Sequence, residues 1–346
     1  MTRMMKAAVL KAAKEMVVEE IPVPVPGDGE VLIKVAANGL CHTDLTYYEG
    51  HVPVAYPLVL GHEAAGVVAE LGRGVTGLAA GDAVLLPPVY GCGECPFCKR
   101  GEDNLCPKSV MLGGQRNGAY AQYLTIPGKY AFKMNKKLNA KRVCVAADAV
   151  STMYFALKER VSVKPGETVA VFGAGGLGLA AIAVANALGA EKVYAVDVKD
   201  GALEAASRLG AEAINATGHD KLYKSLKKET GDSIRVAVDC VGMAQTINEA
   251  FQTVRKGGDV AVIGFTLDKV ELKAGAFMGM QKRIGGSWGC PTRLFPEVIG
   301  LLEAGKIPVD LLVSRTYPLD EIQTAFDDLH AGEVIGRAVI EIPQDI

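Results

Sequence analysis

The longest stretch without a charged residue, "TVAVFGAGGLGLAAIAVANALGA" at 168–190, constrains the fold most. By length alone it could span a bilayer. Its pattern, however, changes twice: a Val/Phe run, a glycine-rich turn, then an Ala/Leu run of helical character. That is a buried strand–turn–helix unit. Strand-like runs follow at "KVYAVDV", "RVAVDCVG", "DVAVIGF" and "RIGGSWG". They alternate with helical runs such as "GALEAASRLGA" and "MAQTINEAFQTVRKGG". Such alternation predicts an α/β domain, a parallel sheet with helices on both faces.

The turn holds Gly173, Gly175 and Gly178 as G-x-G-x-x-G. After a strand and before a helix, the first glycine allows the tight turn. The second lets backbone approach a pyrophosphate, and the third lets helix and strand pack closely. The helix N-terminus then offers free N–H groups to phosphates. The next strand ends in Asp197, at the interval of about 20 residues where a carboxylate accepts the ribose hydroxyls. It would repel a 2′-phosphate, so NAD is expected over NADP. The plainer reading is that Asp197 caps the following turn.

Residues 1–150 have another texture. Short runs such as "KAAVL", "AAGVVAELG", "DAVLLPP" and "AYAQYLTIP" are broken by Gly and Pro, which suggests a small irregular β-barrel. The texture changes at Ser151, where "STMYFALKERVSV" reads as a helix and "KPGE" as a turn. Near the C-terminus, "LFPEVIGLLEAGK" and "PLDEIQTAFDDLHAGE" read as helices, the second with Ile322, Ala325, Phe326 and Leu329 on one face. "GRAVIEI" reads as a closing strand. No internal repeat or low-complexity tract is visible.

Of 346 residues, 49% are hydrophobic and 22% charged, and the net charge is −2. That suits a soluble chain of two domains. It offers neither a basic surface for nucleic acid nor an acidic tail. Lys6, Lys11 and Lys14 interrupt the N-terminal apolar run too early for a secretory leader. A cytoplasmic location, with no membrane partner, is therefore expected. In a reducing compartment, clustered cysteines bind metal more often than they form disulfides.

Cys92, Cys95 and Cys98 form C-x-x-C-x-x-C, and Cys106 follows. Four thiolates at this spacing suit tetrahedral Zn²⁺ in a closed structural site with no position left for substrate. The intervening "KRGEDN" is polar, so metal would supply the lobe's folding free energy. An iron–sulfur cluster is the alternative. A second group is dispersed: Cys41 in "GLCHTDL", and His62 with Glu63 in "VLGHEAAG". A catalytic zinc wants three protein ligands and one open position. Cys144 and Asp148, in "RVCVAADAVST", are the candidates for the third. A carboxylate among Val145, Ala146, Ala147, Ala149 and Val150 needs a partner or a metal. A cap on the helix near Ser151 is the equal alternative for Asp148.

"GHEAAGVV", the four-cysteine lobe, "GAGGLG" with Asp197, and the terminal "GRAVI" occur in this order. With them the chain resembles the zinc-dependent medium-chain alcohol dehydrogenases over nearly its full length. The resemblance implies a GroES-like β-barrel catalytic domain at 1–150 and 295–346, with the lobe at about 90–107. It implies a Rossmann NAD-binding domain at 151–294. It also implies two zinc ions per subunit: a catalytic one on Cys41, His62 and Asp148, and a structural one on Cys92, Cys95, Cys98 and Cys106. The family's usual third ligand is a cysteine; aligning "STMYFAL" puts Asp148 in that slot, as in some bacterial members. Glu63 matches a glutamate that approaches the metal when the fourth ligand leaves.

The implied reaction is reversible hydride transfer between an alcohol carbon and NAD. Thr43 matches the hydroxyl that takes the alcohol proton. The relay histidine's slot holds Thr46, so His51 or water would complete the path. Asp44 resembles the carboxylate that orients His62. His42 and Arg337 match pyrophosphate contacts, and Gly176, Leu177 and Phe265 fall at cofactor-contacting positions. His219 and His330 read as structural or solvated. Pro88 stands where many relatives place a pocket aromatic, which favours secondary, cyclic or larger alcohols. Trp288 lies near a subunit-facing edge in relatives, which are often homotetramers. Polyols, amino-alcohols and alicyclic hydroxyacyl-CoA thioesters are alternative substrates, and a zinc- and nucleotide-binding regulator without turnover is the non-enzymatic reading.

Overall fold

The computed structural model describes residues 2–219 and 221–344. The chain divides into two compact units. One comprises the residues up to Ser151, Gly289–Gly305 and those from Val313 onward; the other comprises Thr152–Trp288 and Lys306–Leu312.

The spine of the first unit is the strand Glu30–Leu40, buried on both faces along most of its length. It pairs antiparallel with Glu63–Leu71, with Arg337–Glu341 and, along its first half, with Tyr123–Pro127. Ala83–Leu85 and Phe132–Lys133 extend this sheet on one side and Val313–Pro318 on the other. A smaller sheet holds Glu15–Pro22, Met4–Ala12 and Leu58–Val59. Leu10, Leu32, Ile33, Leu40, Leu60, Leu86, Tyr120 and Phe326 form the centre of the core.

Register decides where the site forms. Gly39 lies opposite Glu63, and Leu40 opposite Ala338. Antiparallel pairing thus brings the end of one strand to the starts of two others. Cys41, His62, Glu63 and Arg337, distant in sequence, meet at that end of the sheet.

Among the described residues, the second unit has six parallel strands. In chain order they are Thr168–Phe172, Lys192–Asp197, Glu212–Asn215, Ile234–Asp239, Asp259–Val262 and Arg283–Gly286. Across the sheet they run third, second, first, fourth, fifth, sixth, the order of doubly wound dinucleotide-binding sheets. The 168–190 run splits into the strand Thr168–Phe172 and the helix Gly176–Ala187, whose residues Gly178–Ala185 are all buried. Burial on every side explains why that helix lacks a polar face. No helix among the described residues is long and apolar enough to cross a membrane.

Three of the described elements differ from the sequence reading. Glu212–Asn215 is an edge strand with no buried residue, so it lacks a hydrophobic signal. The helix Leu222–Thr230 buries only Leu222 and Leu226. The helix expected to begin at Ser151 begins at Ala149, and after Phe155 it widens into a π-helical turn at Ala156–Arg160.

Candidate metal centres and nucleotide loop

Cys41 follows the Glu30–Leu40 strand and is the N-cap of a short helix, His42–Tyr48. Asp44, in that helix's first turn, accepts a hydrogen bond from Cys41 N at 3.2 Å. The same carboxylate reaches His62: Oδ1 lies 3.0 Å from Nδ1. A carboxylate only accepts, so Nδ1 carries a proton and Nε2 is turned to the opposite side. There, Asp148 Oδ2 lies 3.8 Å from His62 Nε2 and 3.9 Å from Cys41 Sγ. Ligand atoms of Cys41, His62, Glu63 and Asp148 all lie within 4.8 Å of one another. Tetrahedral bonds of about 2.0–2.3 Å would space such ligands roughly 3.5 Å apart, so the cluster needs only a small contraction to close on one ion.

The electrostatics favour a cation. Burial raises the Cys41 thiol, but the charge of Arg337 and the hydrogen bond and charge of His62 outweigh it, and its pKa falls. Burial opposes a proton on His62, yet Asp44, Asp148 and Cys41 together lift its pKa well above the histidine range. The field that favours positive charge on this ring would equally favour a dication among its neighbours. Glu63 is fully buried. Burial raises its pKa, the Arg337 charge opposes that, and Cys41 and Asp148 add to it. Among the described residues, both its carboxylate oxygens lack hydrogen-bond partners, as do Nε and Nη2 of Arg337, although Nη2 is 3.1 Å from Glu63 Oε1. A buried Glu63 Oε2 without a partner among the described residues, beside a thiol and an imidazole, fits zinc chemistry.

The four lobe cysteines form a second group, with Cys95 and Cys98 sulfurs 3.5 Å apart and those of Cys92 and Cys98 4.0 Å apart. All eight cysteines are unpaired. Backbone N–H groups of Glu94 and Cys95, in that order, pull the Cys92 thiol down to about 6, whereas burial and its sulfur neighbours push Cys98 up to about 12. The helix Pro96–Lys99 buries none of its residues. The lobe is tied down through buried Asp103, which accepts hydrogen bonds from the backbone N–H and hydroxyl of Thr292.

The other sequence-marked residues are dispersed. Thr43 Oγ1 is 3.7 Å from Cys41 Sγ. Thr46 donates its hydroxyl to His42 O at 2.9 Å, and His42 is exposed. His51 is outside the ligand cluster: its side chain is 70% exposed and its Nδ1 is 3.3 Å from Glu49. His330 meets that same glutamate at 2.8 Å. Arg337 is buried beside Glu63 and 3.8 Å from Asp148. Cys144 is buried, its thiol pKa raised chiefly by that burial. Tyr120 belongs to no sequence motif, yet its Oη donates to Asp44 Oδ2 at 2.9 Å.

In the second unit, Gly173 has φ +88°, and a Cβ there would stand 2.6 Å from Val241. A Cβ on Gly178 would stand 1.8 Å from Gly173 O, whereas one on Gly175 would meet nothing within 4 Å. Two glycines thus close the turn, and the third leaves open space over the backbone at the helix N-terminus. Asp197 accepts from Ala174 N at 2.7 Å and from Val198 N and Lys199 N. The loop is thereby tethered to the tip of the second strand. Gly176 and Leu177 open the helix, and Phe265 is 83% exposed. An open glycine cradle beside a fixed carboxylate fits a dinucleotide.

Comparison with known proteins agrees. Residues 27–136 match the alcohol dehydrogenase GroES-like domain family, and residues 176–304 match the zinc-binding dehydrogenase family. An alcohol dehydrogenase of Geobacillus stearothermophilus is 34% identical over 98% of this chain and 100% of its own length. An NAD-dependent alcohol dehydrogenase of Sulfurisphaera tokodaii is 32% identical over 96% and 98%. Among solved structures, the alcohol dehydrogenase of Thermus sp. ATN1 superposes with a TM-score of 0.91 at 30% identity, covering 98% of this chain and 100% of that one. The chemistry this kinship supports is alcohol–carbonyl oxidoreduction. With a GroES-like domain and a Rossmann-type sheet, the chain belongs to the zinc-dependent medium-chain alcohol dehydrogenases.

Proposed function

We propose that this enzyme is an NAD-dependent zinc alcohol dehydrogenase that interconverts primary, secondary or cyclic alcohols with aldehydes or ketones. The observation that carries the reading is the convergence of a thiol, an imidazole and a carboxylate within 4.8 Å, in a chain that also has an open glycine cradle. Cys41, His62 and Asp148 would hold the catalytic zinc, and the four lobe cysteines a structural one. Bound zinc supplies a Lewis acid that lowers an alcohol's pKa or polarises a carbonyl, and bound NAD supplies the hydride acceptor.

The chain's own residues do the rest. One thiolate, one carboxylate and a neutral imidazole offset a 2+ charge. Asp44 keeps the His62 proton on Nδ1, which leaves Nε2 free to ligate. Thr43 Oγ1, 3.7 Å from Cys41 Sγ, accepts the alcohol proton as it passes its own hydroxyl proton on toward His51 or water. Glu63 is the carboxylate that approaches the metal, and Arg337 is its buried counter-charge at 3.1 Å. Gly173, Gly175 and Gly178 cradle the pyrophosphate, and Asp197 takes the adenosine ribose hydroxyls and disfavours a 2′-phosphate. The first unit is thus assigned to catalysis and the second to the nucleotide. A homotetramer is the proposed assembly, tested by light scattering on the purified protein.

The direct experiment is a panel of primary, secondary, cyclic and vicinal-diol alcohols with NAD and with NADP on zinc-loaded protein, and with Asp148→Ala as control. A 2R,3R-butanediol dehydrogenase of Bacillus subtilis, 26% identical with a TM-score of 0.90 over 97% of this chain and 99% of its own, is the reason to include diols. NADH formation with at least one class, lost in Asp148→Ala, is expected. No alcohol-dependent NADH formation at full zinc loading would favour a binding role without turnover.

A further inference from the structure

Tyr120 is fully buried in the core of the first unit. Its backbone is held on both sides: N donates to Leu60 O at 3.0 Å, and O accepts from Ala8 N at 2.8 Å. Its ring packs edge-on against Phe326, with centroids 6.1 Å apart. Gly61 allows this approach, since a Cβ there would stand 3.1 Å from the Tyr120 ring.

The Tyr120 hydroxyl completes the shell around Asp44. Oδ1 accepts from Gly61 N at 3.2 Å and faces His62 Nδ1 at 3.0 Å; Oδ2 accepts from Cys41 N at 3.2 Å and from Tyr120 Oη at 2.9 Å. Four donors fill the accepting capacity of one carboxylate. Three of them belong to Cys41, to His62 and to the residue before His62, so they move with the ligands. Tyr120 alone among these donors comes from neither ligand segment: its own stretch of chain is held between Leu60 and Ala8, and it makes the shortest of the four contacts.

We propose that Tyr120 is a positioning residue of the catalytic metal centre: by fixing the Asp44 carboxylate it fixes the plane of the His62 ring, and so slows release of the ion that His62 holds. The inference rests on the zinc reading above. Partners of this kind typically change metal affinity about 10–100-fold.

The test compares wild type, Tyr120→Phe and Phe326→Leu, all zinc-loaded, by following zinc release to a chromophoric chelator. The four-cysteine lobe serves as internal reference. Tyr120→Phe keeps the ring and removes the hydroxyl; Phe326→Leu disturbs the packing and keeps the hydroxyl. The expected result is release from the catalytic centre accelerated about tenfold in Tyr120→Phe, an unchanged lobe, and Phe326→Leu close to wild type. Tyr120→Phe should also lose part of the rise in thermal midpoint that zinc confers. Release within twofold of wild type overturns the inference, as does equal acceleration at both centres or equal acceleration in Phe326→Leu. Wild type that takes up zinc only in the lobe overturns the underlying metal reading instead.

Discussion

Gly39 gives Glu63 its place: a Cβ on Gly39 would stand 2.0 Å from Glu63 Oε2. The two residues are cross-strand partners, and the missing side chain on one is the space occupied by the carboxylate of the other. Gly39→Ala should displace Glu63 and cost about 1–3 kcal/mol through overpacking. Denaturant unfolding would show most of that cost recovered in a Glu63→Ala background, because the obstructing carboxylate is gone. An equal cost in both backgrounds would mean that the Glu63 Cβ, 3.0 Å away and retained in the alanine variant, and not the carboxylate, resists the methyl group.

Asp148 is expected to be a ligand rather than a cap. Asp148→Ala should hold one zinc per chain where wild type holds two, as read by elemental analysis. Asp148→Cys should restore the second and part of the turnover, since a thiolate carries the same charge. Two zincs in Asp148→Ala would assign the third coordination to Glu63.

Asp197→Ser should shift the ratio of kcat/KM for NADP over NAD upward by about tenfold or more, equivalent to ~1.4 kcal/mol. The carboxylate that repels a 2′-phosphate would be gone. Steady-state kinetics with both cofactors measure the shift. Because Asp197 also accepts Ala174 N, some activity with NAD should be lost as well.

The lobe should depend on its metal. Cys95→Ser is expected to remove hydrogen-exchange protection across 92–106 while leaving Gly176–Ala187 as protected as in wild type. The helix Pro96–Lys99 has no buried residue with which to stay folded unaided.

Lys282 provides a pH signature. It is buried, donates to Phe251 O and Gln252 O, and is lowered to about 8, by burial first and then by the charge of Lys227. Between pH 8 and about 10.5 the unfolded chain holds this proton and the folded one does not, so stability attributable to this group rises with pH there. Unfolding at pH 8 and pH 10 should show wild type gaining relative to Lys282→Met. No difference in slope would mean that Lys282 keeps its charge in the fold.

Much of this was legible from residue order. The lobe and the glycine turn are local, so spacing alone announces their chemistry. The dispersed centre is not local. Cys41 and His62 meet because the register sets Gly39 against Glu63, and Asp148 joins them from the residue before the helix Ala149–Phe155; residue chemistry leaves Asp148 between ligand and cap, and the family resemblance favours ligand. Tyr120 left no trace, since one tyrosine in an apolar run reads as core, and its hydroxyl matters only through Asp44. Arg337, matched to a pyrophosphate contact in sequence, lies buried against Glu63. The edge strand Glu212–Asn215 escaped because strand signals are signals of burial, and it buries nothing.

The most direct measurement is an anomalous-scattering map at the zinc edge on crystals of active protein. Two peaks per chain are expected, one inside the four-cysteine lobe and one bounded by Cys41 Sγ, His62 Nε2 and Asp148 Oδ2. A single peak in the lobe, from protein that still oxidises an alcohol, would contradict the account.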